Sequence, residues 1–363
     1  MSVFDSRFII DGVAQDLTPA QVLSPCMDVP PVGDGASGQI VDETLDPVPG
    51  LMETDPDRVD EYLTSTLTTE SVVDLPFAGP KGRYAVAKAL IDAIWRPGSF
   101  RLDNLSLDLA WHWPAGKMGA MASFYDSTVQ IADYVDSLGL RISSASFSEG
   151  GCGISAQAKI GSSREADILS EVEDPEMGEG SLHPTSLVDD PQSWIVYIPF
   201  EASDYRLGGS LLAQTSGYGG GKAPQIDDPD YFMDCYEVVR ELVEDGIILS
   251  GATVGDGGLL TSLKRMTTMG VGADIDISSV VRAHPKSDVI RVLFSEVPGV
   301  LIQIKDIDFD YLDAELLLQD VAYYSLGHPV HGTDSVHVKA SAKPGIQTIL
   351  ESLIRSQCGE GED

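Results

Sequence analysis

The sequence predicts an α+β fold in two domains, because stretches with the period of a β-strand alternate with stretches that have the period of an α-helix. A chain of 363 residues is long enough for two apolar cores. An acidic stretch poor in apolar residues separates two regular regions and indicates a boundary near Asp190. We therefore expect five segments, an arm, a first domain, a linker, a second domain and a tail: 1–60, 61–160, 161–192, 193–343 and 344–363.

The first domain is preceded by a region without a sustained period. Residues 1–60 are rich in Asp, Pro and Gly, which is typical of a tail or extended arm. Regular structure is expected from about Gly82, and Gly139 is expected to close the second helix. The patterns predict, in order, a helix, a strand, a helix and two strands: 83–95, 99–113, 121–138, 141–148 and 154–160.

The second domain shows the same alternation at shorter intervals. Buried-type runs such as WIVYIPF predict strands, and amphipathic runs such as DYFMDCYEVVRELVEDG predict helices. The expected strands are 194–200, 247–254, 272–278, 300–306, 321–327 and 335–341. The expected helices are 230–246, 259–270, 288–294 and 309–320.

The charge of the chain excludes some partners. There are 23 Lys and Arg against 57 Asp and Glu, a net charge of −34, which repels nucleic acid and anionic membranes. Trp111 and Trp113 are accordingly expected in the core rather than on a base-stacking surface. The acidity fits either a salt-rich cytosol or plain solubility.

The expected compartment is the cytoplasm. The opening residues show no leader pattern, and no apolar run approaches the roughly 20 residues of a membrane span. The four cysteines are scattered without C-x-x-C spacing and are expected to be reduced thiols: Cys26, Cys152, Cys235 and Cys358.

Three phrases of the second domain are more specific than propensity requires. They are DYRLGGSLLAQ, SGATVGDGGLLTSLKRM and VLFSEVPGVLIQI, at 204–214, 250–266 and 292–304. In this order and spacing they resemble the second, C-terminal synthetase half of large-type phosphoribosylformylglycinamidine (FGAM) synthases, of the aminoimidazole ribonucleotide (AIR) synthetase-like superfamily. The resemblance runs from about Val72 to about Ala342. It implies an N-terminal half-barrel domain followed by an α/β-sandwich domain.

Two of these phrases contain turns with paired glycines. Such a turn before a helix exposes amides that can receive an anion, although a plain strand-to-helix connection needs the same glycines. In the second turn Asp256 is able to cap the following helix. The resemblance implies that the remnant of a nucleotide- or phosphate-binding site lies here: Arg206, Gly208, Gly209, Ser210, Gly255, Asp256, Gly257 and Gly258.

The metal ligands that the resemblance implies are replaced. Lys88 stands in place of a metal-binding Glu, Asp92 in place of an Asn and Thr253 in place of an Asp. Gly255 stands in place of a nucleotide-binding Ser, and Ser144–Glu149 in place of a Gly-Lys-Asp-Ser phrase. An ammonium group beside a metal ion costs roughly 4 kcal/mol at intermediate dielectric. We therefore expect no cofactor, with Mg²⁺ and ATP or ADP only if the site is retained, and we assign no catalytic residue.

Other candidate sites have plainer explanations. His328, His331 and His337 lack an acidic or thiol ligand in the local pattern, so packing or surface roles are favoured over a metal. The stretch GYGGGKA at 217–223 lacks the Gly and the Ser or Thr that a phosphate-binding P-loop needs. No G-x-S-x-G or Cys–His signature is present.

These expectations favour a non-catalytic, FGAM synthase-like half that is related to purine biosynthesis and acts through a protein partner. Whether the chain is an enzyme stays open, because it could also be the C-terminal subunit of a split, active FGAM synthase, or a structural subunit of an unrelated assembly. The resemblance implies that the first-domain sheet completes a barrel with a mate. We therefore expect either a homodimer or a complex with a separate synthetase half or glutaminase.

Overall fold

The computed structural model describes residues 2–34, 38–50, 52–96, 101–160, 183–219 and 221–340. The helices are α1 (Pro19–Leu23), α2 (Val59–Thr68), α3 (Ala78–Ile94), α4 (Ala120–Ser137), α5 (Leu211–Ser216), α6 (Pro229–Glu244), α7 (Gly258–Met266), α8 (Ser278–Ala283), α9 (Val289–Phe294) and α10 (Phe309–Leu318). The strands are β1 (Arg7–Ile10), β2 (Val13–Ala14), β3 (Val32–Gly33), β4 (Gln39–Asp42), β5 (Leu105–Trp113), β6 (Arg141–Glu149), β7 (Gly153–Ile160), β8 (Trp194–Pro199), β9 (Ile248–Thr253), β10 (Val271–Asp276), β11 (Gly299–Ile304), β12 (Tyr324–His331) and β13 (Val336–Lys339).

These strands form three sheets and the fold is α+β, as predicted. The first domain contains a four-stranded sheet in the order β3-β6-β5-β7, and the second a six-stranded sheet in the order β13-β10-β12-β8-β11-β9. Along β5 every second residue is apolar and buried, so one face of the sheet packs on helices. Trp111 and Trp113 lie on this face and are fully buried, which confirms their expected place in the core.

The N-terminal segment is not the extended arm that its composition predicts. Strands β2, β1 and β4 form a small sheet, and the side chains of Phe4 and Phe8 are 0% and 1% exposed. Both rings contact Phe124 of α4, and Phe4 also contacts Trp111. The Asp, Pro and Gly residues lie between short apolar groups. The segment therefore lacks a long period but still buries enough apolar surface to fold.

The N-terminal segment also completes a helix that lies far along the chain. The carboxylate of Asp42 accepts hydrogen bonds from the backbone N–H groups of Gly119, Met121 and Ala122, at 2.9, 2.8 and 3.0 Å. These groups lie at the start of α4, which has no side-chain cap of its own. Asp42 thus supplies the acceptor that the first turn of a helix requires.

Helix α3 lies between the two large sheets. It packs against β7 on one side and against β9 and β11 on the other. Its residues Leu90 and Ile91 are fully buried in an apolar core that continues to β8 and β11. The opposite face of the six-stranded sheet packs on α7 and α9 in a second core. Side chains of both domains therefore meet along α3.

Several helix limits differ from those predicted. Helix α3 begins at Ala78, before the expected start, and α7 ends at Met266 rather than at Gly270. The stretch from 267 to 270 instead leads into β10 through a bridge between Thr268 and Val271. The calls on Cys358, on the tail at 344–363 and on most of the linker lie outside the described residues. No helix in the described part of the chain has the length and apolar character to cross a membrane.

Candidate functional site

The three positions implied as metal ligands are brought together by the fold. The Lys88 ammonium donates to Asp92 Oδ2 at 3.2 Å, and the Thr253 hydroxyl donates to Asp92 Oδ1 at 2.6 Å. The Trp95 indole N–H donates to Thr253 Oγ1 at 3.0 Å. We call these four residues the metal-position cluster. The carboxylate of this cluster, Asp92, already accepts hydrogen bonds from an ammonium group and from a hydroxyl group.

Local sequence explains this convergence. Lys88, Asp92 and Trp95 are spaced by four and three residues, so they share one face of α3. Thr253 ends β9, which packs against that helix. The approach is close because a Cβ atom at Gly251 would lie 2.3 Å from the Trp95 ring. Glycine at 251 therefore lets the indole reach Thr253.

The two glycine turns meet at a single buried carboxylate. Glu296 lies between α9 and β11, and its side chain is 3% exposed. Its Oε1 accepts the N–H of Leu211 at 2.8 Å and the N–H of Gly257 at 3.0 Å, while Oε2 contacts the Lys81 ammonium. We call Glu296, Lys81 and these two amides the Glu296 cluster. The sequence indicated that amides of these two turns could bind an anion from outside the protein. In the structure, one N–H group of each turn instead donates to a carboxylate of the protein itself.

Backbone geometry explains the paired glycines. Gly209, Gly257 and Gly258 have φ of +68°, +87° and +77°, which side chains rarely adopt. A Cβ at Gly258 would lie 2.6 Å from the backbone of Phe294. Ser210 caps α5 through Ala213 N–H at 3.2 Å.

Neither Asp256 nor Gly255 is the N-cap residue of α7. The N-cap of α7 is Gly257 in the left-handed conformation, without a side-chain cap. The Asp256 carboxylate lies 3.9 Å from the Lys81 ammonium instead. The predicted capping role of Asp256 is therefore wrong, because Gly257 occupies the N-cap position. Gly255 donates its N–H to Ser262 Oγ at 2.9 Å.

A small cavity of about 250 Å³ opens between α3 and the start of β7. Lys81, Tyr84, Lys88, Asp92 and Asp256 are among its lining residues. The Tyr84 hydroxyl is buried without a hydrogen-bond partner among the described residues. Burial raises the pKa of Tyr84 well above its ordinary value, and the carboxylates of Asp256 and Glu296 add to this shift. The tyrosine is therefore a neutral hydroxyl.

These donors do not fit a divalent cation in the manner that the resemblance implies. Two lysines face the cavity, and each of its two carboxylates lies near one of them, Asp92 at 3.2 Å from Lys88 and Asp256 at 3.9 Å from Lys81. Within the described ranges, no group of three or more His, Cys, Asp and Glu is arranged to hold a metal. Hard cations such as Mg²⁺ require several oxygen ligands, which this set does not offer.

The other candidate residues of the sequence analysis either lie apart from one another or make structural contacts. His328 Nδ1 contacts the Ser193 carbonyl at 2.9 Å, whereas His331 Nδ1 contacts Asp189 at 2.6 Å. His337 lies on β13, two strands from His328. Lys222 of the glycine-rich loop accepts Gly208 N–H through its carbonyl, at 2.9 Å. The segment Ser144–Glu149 forms most of β6.

Sequence reasoning missed Lys81, Trp95 and Glu296. Glu296 stood inside the phrase VLFSEVPGV, and its acidic side chain between apolar residues was the available signal. Trp95 ended the predicted helix on the same face as Asp92.

Comparison with known proteins agrees with this fold. The family described as "AIR synthase related protein, C-terminal domain" matches residues 201–306. Phosphoribosylformylglycinamidine synthase of Homo sapiens is 25% identical over 232 residues, which are 62% of this chain and 16% of that protein. The probable chloroplastic/mitochondrial enzyme of Arabidopsis thaliana is 23% identical over 247 residues, which are 68% of this chain and 17% of that protein. The chain thus spans about a sixth of the length of these relatives.

A solved structure shares the fold. "T. maritima PurL complexed with FGAR" is 15% identical, with a TM-score of 0.52, over 72% of this chain and 41% of that chain. This likeness concerns the fold alone. In sequence, the chain is similar to phosphoribosylformylglycinamidine synthases, and its residues 201–306 match the C-terminal domain of AIR synthase related proteins.

Proposed function

We propose that this chain is a non-catalytic relative of the synthetase part of FGAM synthase, related to purine biosynthesis, and that it acts through a protein partner in the cytoplasm. The observation that carries the proposal is the metal-position cluster. Asp92 there bonds to Lys88 and Thr253. A metal ion would have to displace an ammonium group that already neutralises the carboxylate, and phosphoryl transfer depends on such metal ions.

The Glu296 cluster supports the same proposal. Amides at a glycine turn can hold a phosphate only while they are unoccupied, and Glu296 accepts Leu211 N–H and Gly257 N–H. A phosphate in the same place would meet a buried negative charge. We propose that Arg206, Gly208 to Ser210 and Gly255 to Gly258 now serve as structural turns.

Calorimetry with Mg–ADP and Mg–ATP tests the proposal. We expect no saturable heat from the purified chain. A double variant, Lys88→Glu with Thr253→Asp, puts carboxylates back at two positions and should gain Mg²⁺ binding. The isosteric Thr253→Val is the matched control that adds no charge. Tight binding of Mg–ADP by the unaltered chain would refute the non-catalytic proposal.

A second candidate function is the C-terminal subunit of a split, active FGAM synthase. The chain corresponds to 16% and 17% of the length of its curated relatives, and in a split enzyme separate chains would supply the remaining parts. Reconstitution with a separate synthetase half and glutaminase tests this candidate. ATP-dependent amidine formation that requires this chain would establish it, and the absence of any stimulation would remove it.

The four-stranded sheet supports a protein partner. Helices α3 and α4 cover one face, whereas exposed His112, Ser144 and Ser146 lie on the other, which no described element covers. The edge strand β7 pairs only with β5 within the described residues. A bare face and an open edge are features that a second sheet would cover. Light scattering should give a mass above that of one chain, or a partner should co-purify. A strictly monomeric chain with no recovered partner would contradict this part.

A further inference from the structure

Helix α10 carries an apolar stripe on its outer side. Leu312 and Leu316 of this helix are buried in the apolar core around α3. On the opposite side, apolar residues recur at intervals of four, three and four, which is typical of helices that pack against one another. Within the described part of the chain Ile307, Leu317 and Leu318 are 84%, 75% and 79% exposed. We call the following residues the α10 stripe: Ile307, in the turn before the helix, Tyr311, Ala314, Leu317 and Leu318.

A segment with a complementary pattern follows Ala340, the last described residue. The sequence IQTILESLIRSQ at 346–357 has the spacing of an amphipathic helix. The Pro-Gly pair at 344–345 precedes it and Gly359 follows it, as is typical of helix limits. Such a helix requires an apolar surface on which to bury one face. The apolar residues of that face are Ile346, Ile349, Leu350, Leu353 and Ile354.

Charge favours this segment over a second copy of the chain as the partner of the α10 stripe. Residues 306–320 contain six Asp and Glu and neither Lys nor Arg. Two such helices side by side would place like charges next to each other, which is destabilising. Between 341 and 357, in contrast, Lys343 and Arg355 outnumber the single acid, Glu351. The segment therefore brings positive charge to an acidic surface.

Sheet topology brings the start of the segment close to the C-terminal end of α10. Strand β13 is parallel to β10, which is antiparallel to β12. The end of β13 and the start of β12 therefore lie at the same end of the sheet, about 10 Å apart with β10 between them. Only residues 319–323 separate α10 from β12. Residues 341–345 span up to about 17 Å when extended, so the segment 346–357 can begin beside Leu318.

We propose that residues 346–357 form a helix that packs along the α10 stripe, antiparallel to α10. The direction follows from the entry point, because a segment that begins beside Leu318 runs back along α10. A helix of this length is marginal by itself in water, so its formation and its docking depend on each other. The residues brought together are Ile346 with Leu318, Leu350 with Ala314, and Leu353 with Tyr311.

Amide hydrogen exchange of the full chain tests the docking. We expect the amides of 346–357 to exchange at least about tenfold more slowly than in the double variant Leu350→Asp with Leu353→Asp, because the undocked segment is not protected. The matched control is Thr348→Asp with Ser352→Asp. It adds the same charge to the opposite face of the predicted helix and should keep the protection.

Substitution on α10 tests the same contact from the other side. Leu318 is 79% exposed in the described structure, so Leu318→Asp leaves the core intact. This variant should raise the exchange rate of 346–357 toward that of the undocked segment. Gln319→Asp, at the next exposed position and outside the α10 stripe, adds the same charge and should leave the exchange rate unchanged. Near-ultraviolet circular dichroism confirms that both variants fold.

Cysteine cross-linking identifies the partner of the stripe. In a Cys358→Ser background, Ala314→Cys with Leu350→Cys should form a disulfide within one chain on mild oxidation, identified by peptide mass mapping. Ala314→Cys with Thr348→Cys, on the polar face, should not. Disulfide-linked dimers would assign the stripe to a second copy and overturn the proposal.

The exchange data contradict the proposal in either of two cases. The amides of 346–357 could be unprotected in the unaltered chain, or their protection could survive in Leu350→Asp with Leu353→Asp. Either result is distinguishable from failure of the proposed function, because no residue of the metal-position cluster or of the Glu296 cluster takes part in this contact.

Discussion

The metal-position cluster and the Glu296 cluster lie on the same helix face, but they differ in how they hold charge. The Lys88 and Asp92 side chains are 36% and 38% exposed, whereas those of Lys81 and Glu296 are 11% and 3% exposed. Water screens the first pair and has been excluded from the second. We infer that the buried cluster, which joins Lys81 of the first domain to Glu296 of the second, contributes more to holding the domains together than the exposed cluster does.

The sharpest way to break this comparison is to remove the buried carboxylate. Glu296→Ala leaves the N–H groups of Leu211 and Gly257 without their acceptor and Lys81 without its closest partner. We expect the free energy of unfolding to fall by about 3–5 kcal/mol, the usual cost of breaking a buried pair. Urea denaturation measures it.

Two controls accompany that variant. Glu296→Gln keeps an oxygen for the two amides and should lose less than Glu296→Ala does. Glu61→Ala breaks the exposed pair with Arg58 and should change the free energy of unfolding by less than about 1 kcal/mol. Equal losses in Glu61→Ala and Glu296→Ala would show that burial does not distinguish the two kinds of pair.

The glycine turn at the Glu296 cluster gives the next largest effect. Gly258→Ala combines a φ of +77° with a Cβ 2.6 Å from the Phe294 backbone. We expect a loss of about 2–4 kcal/mol in the free energy of unfolding. Gly246→Ala is the matched control, with a φ of +70° and open space around the new Cβ. If Gly258→Ala and Gly246→Ala lowered the free energy of unfolding equally, the positive φ alone would explain the glycine at 258, without the contact with the Phe294 backbone.

The exposed cluster should respond weakly. Lys88→Ala removes an ion pair in which both side chains are more than a third exposed. We expect a change below about 1 kcal/mol, further reduced by added salt. Thermal denaturation at low and high KCl measures both. A loss as large as that of Glu296→Ala would abolish the distinction between the clusters.

The smallest expected effect is a pH dependence of folding stability beside the metal-position cluster. His183 stacks on Trp95, and burial lowers its pKa from the ordinary 6.5. The unfolded chain therefore binds the proton more tightly, so the stability that His183 contributes is present above pH 6.5 and is lost as the pH falls toward the lower folded value. His183→Gln should flatten the stability profile below that pH.

The sequence was informative where a period extends over a whole element. The amphipathic spacing of α4 and α6 places these helices within two residues of their observed limits, whereas β5 begins six residues after its predicted start and ends where predicted. The family resemblance pointed to three positions on α3 and β9, Lys88, Asp92 and Thr253, and their side chains do contact one another.

Contacts between segments far apart in the sequence could not be predicted in this way. Nothing around Phe4 or Phe8 indicates that Phe124 will cover them. Likewise, an isolated Glu in the phrase VLFSEVPGV does not indicate that the amides of two separate turns will point at it. Such pairings depend on tertiary packing, which local propensity does not encode.

The contact between Asp42 and α4 has a consequence for how the chain is made. The Asp42 carboxylate accepts a hydrogen bond from the N–H of Ala122, which lies 80 residues further along the chain. During synthesis the N-terminal segment leaves the ribosome long before that helix exists, and domains generally fold as units. Strands β1, β2 and β4 must therefore wait, with Phe4 and Phe8 uncovered, until α4 has emerged to receive them.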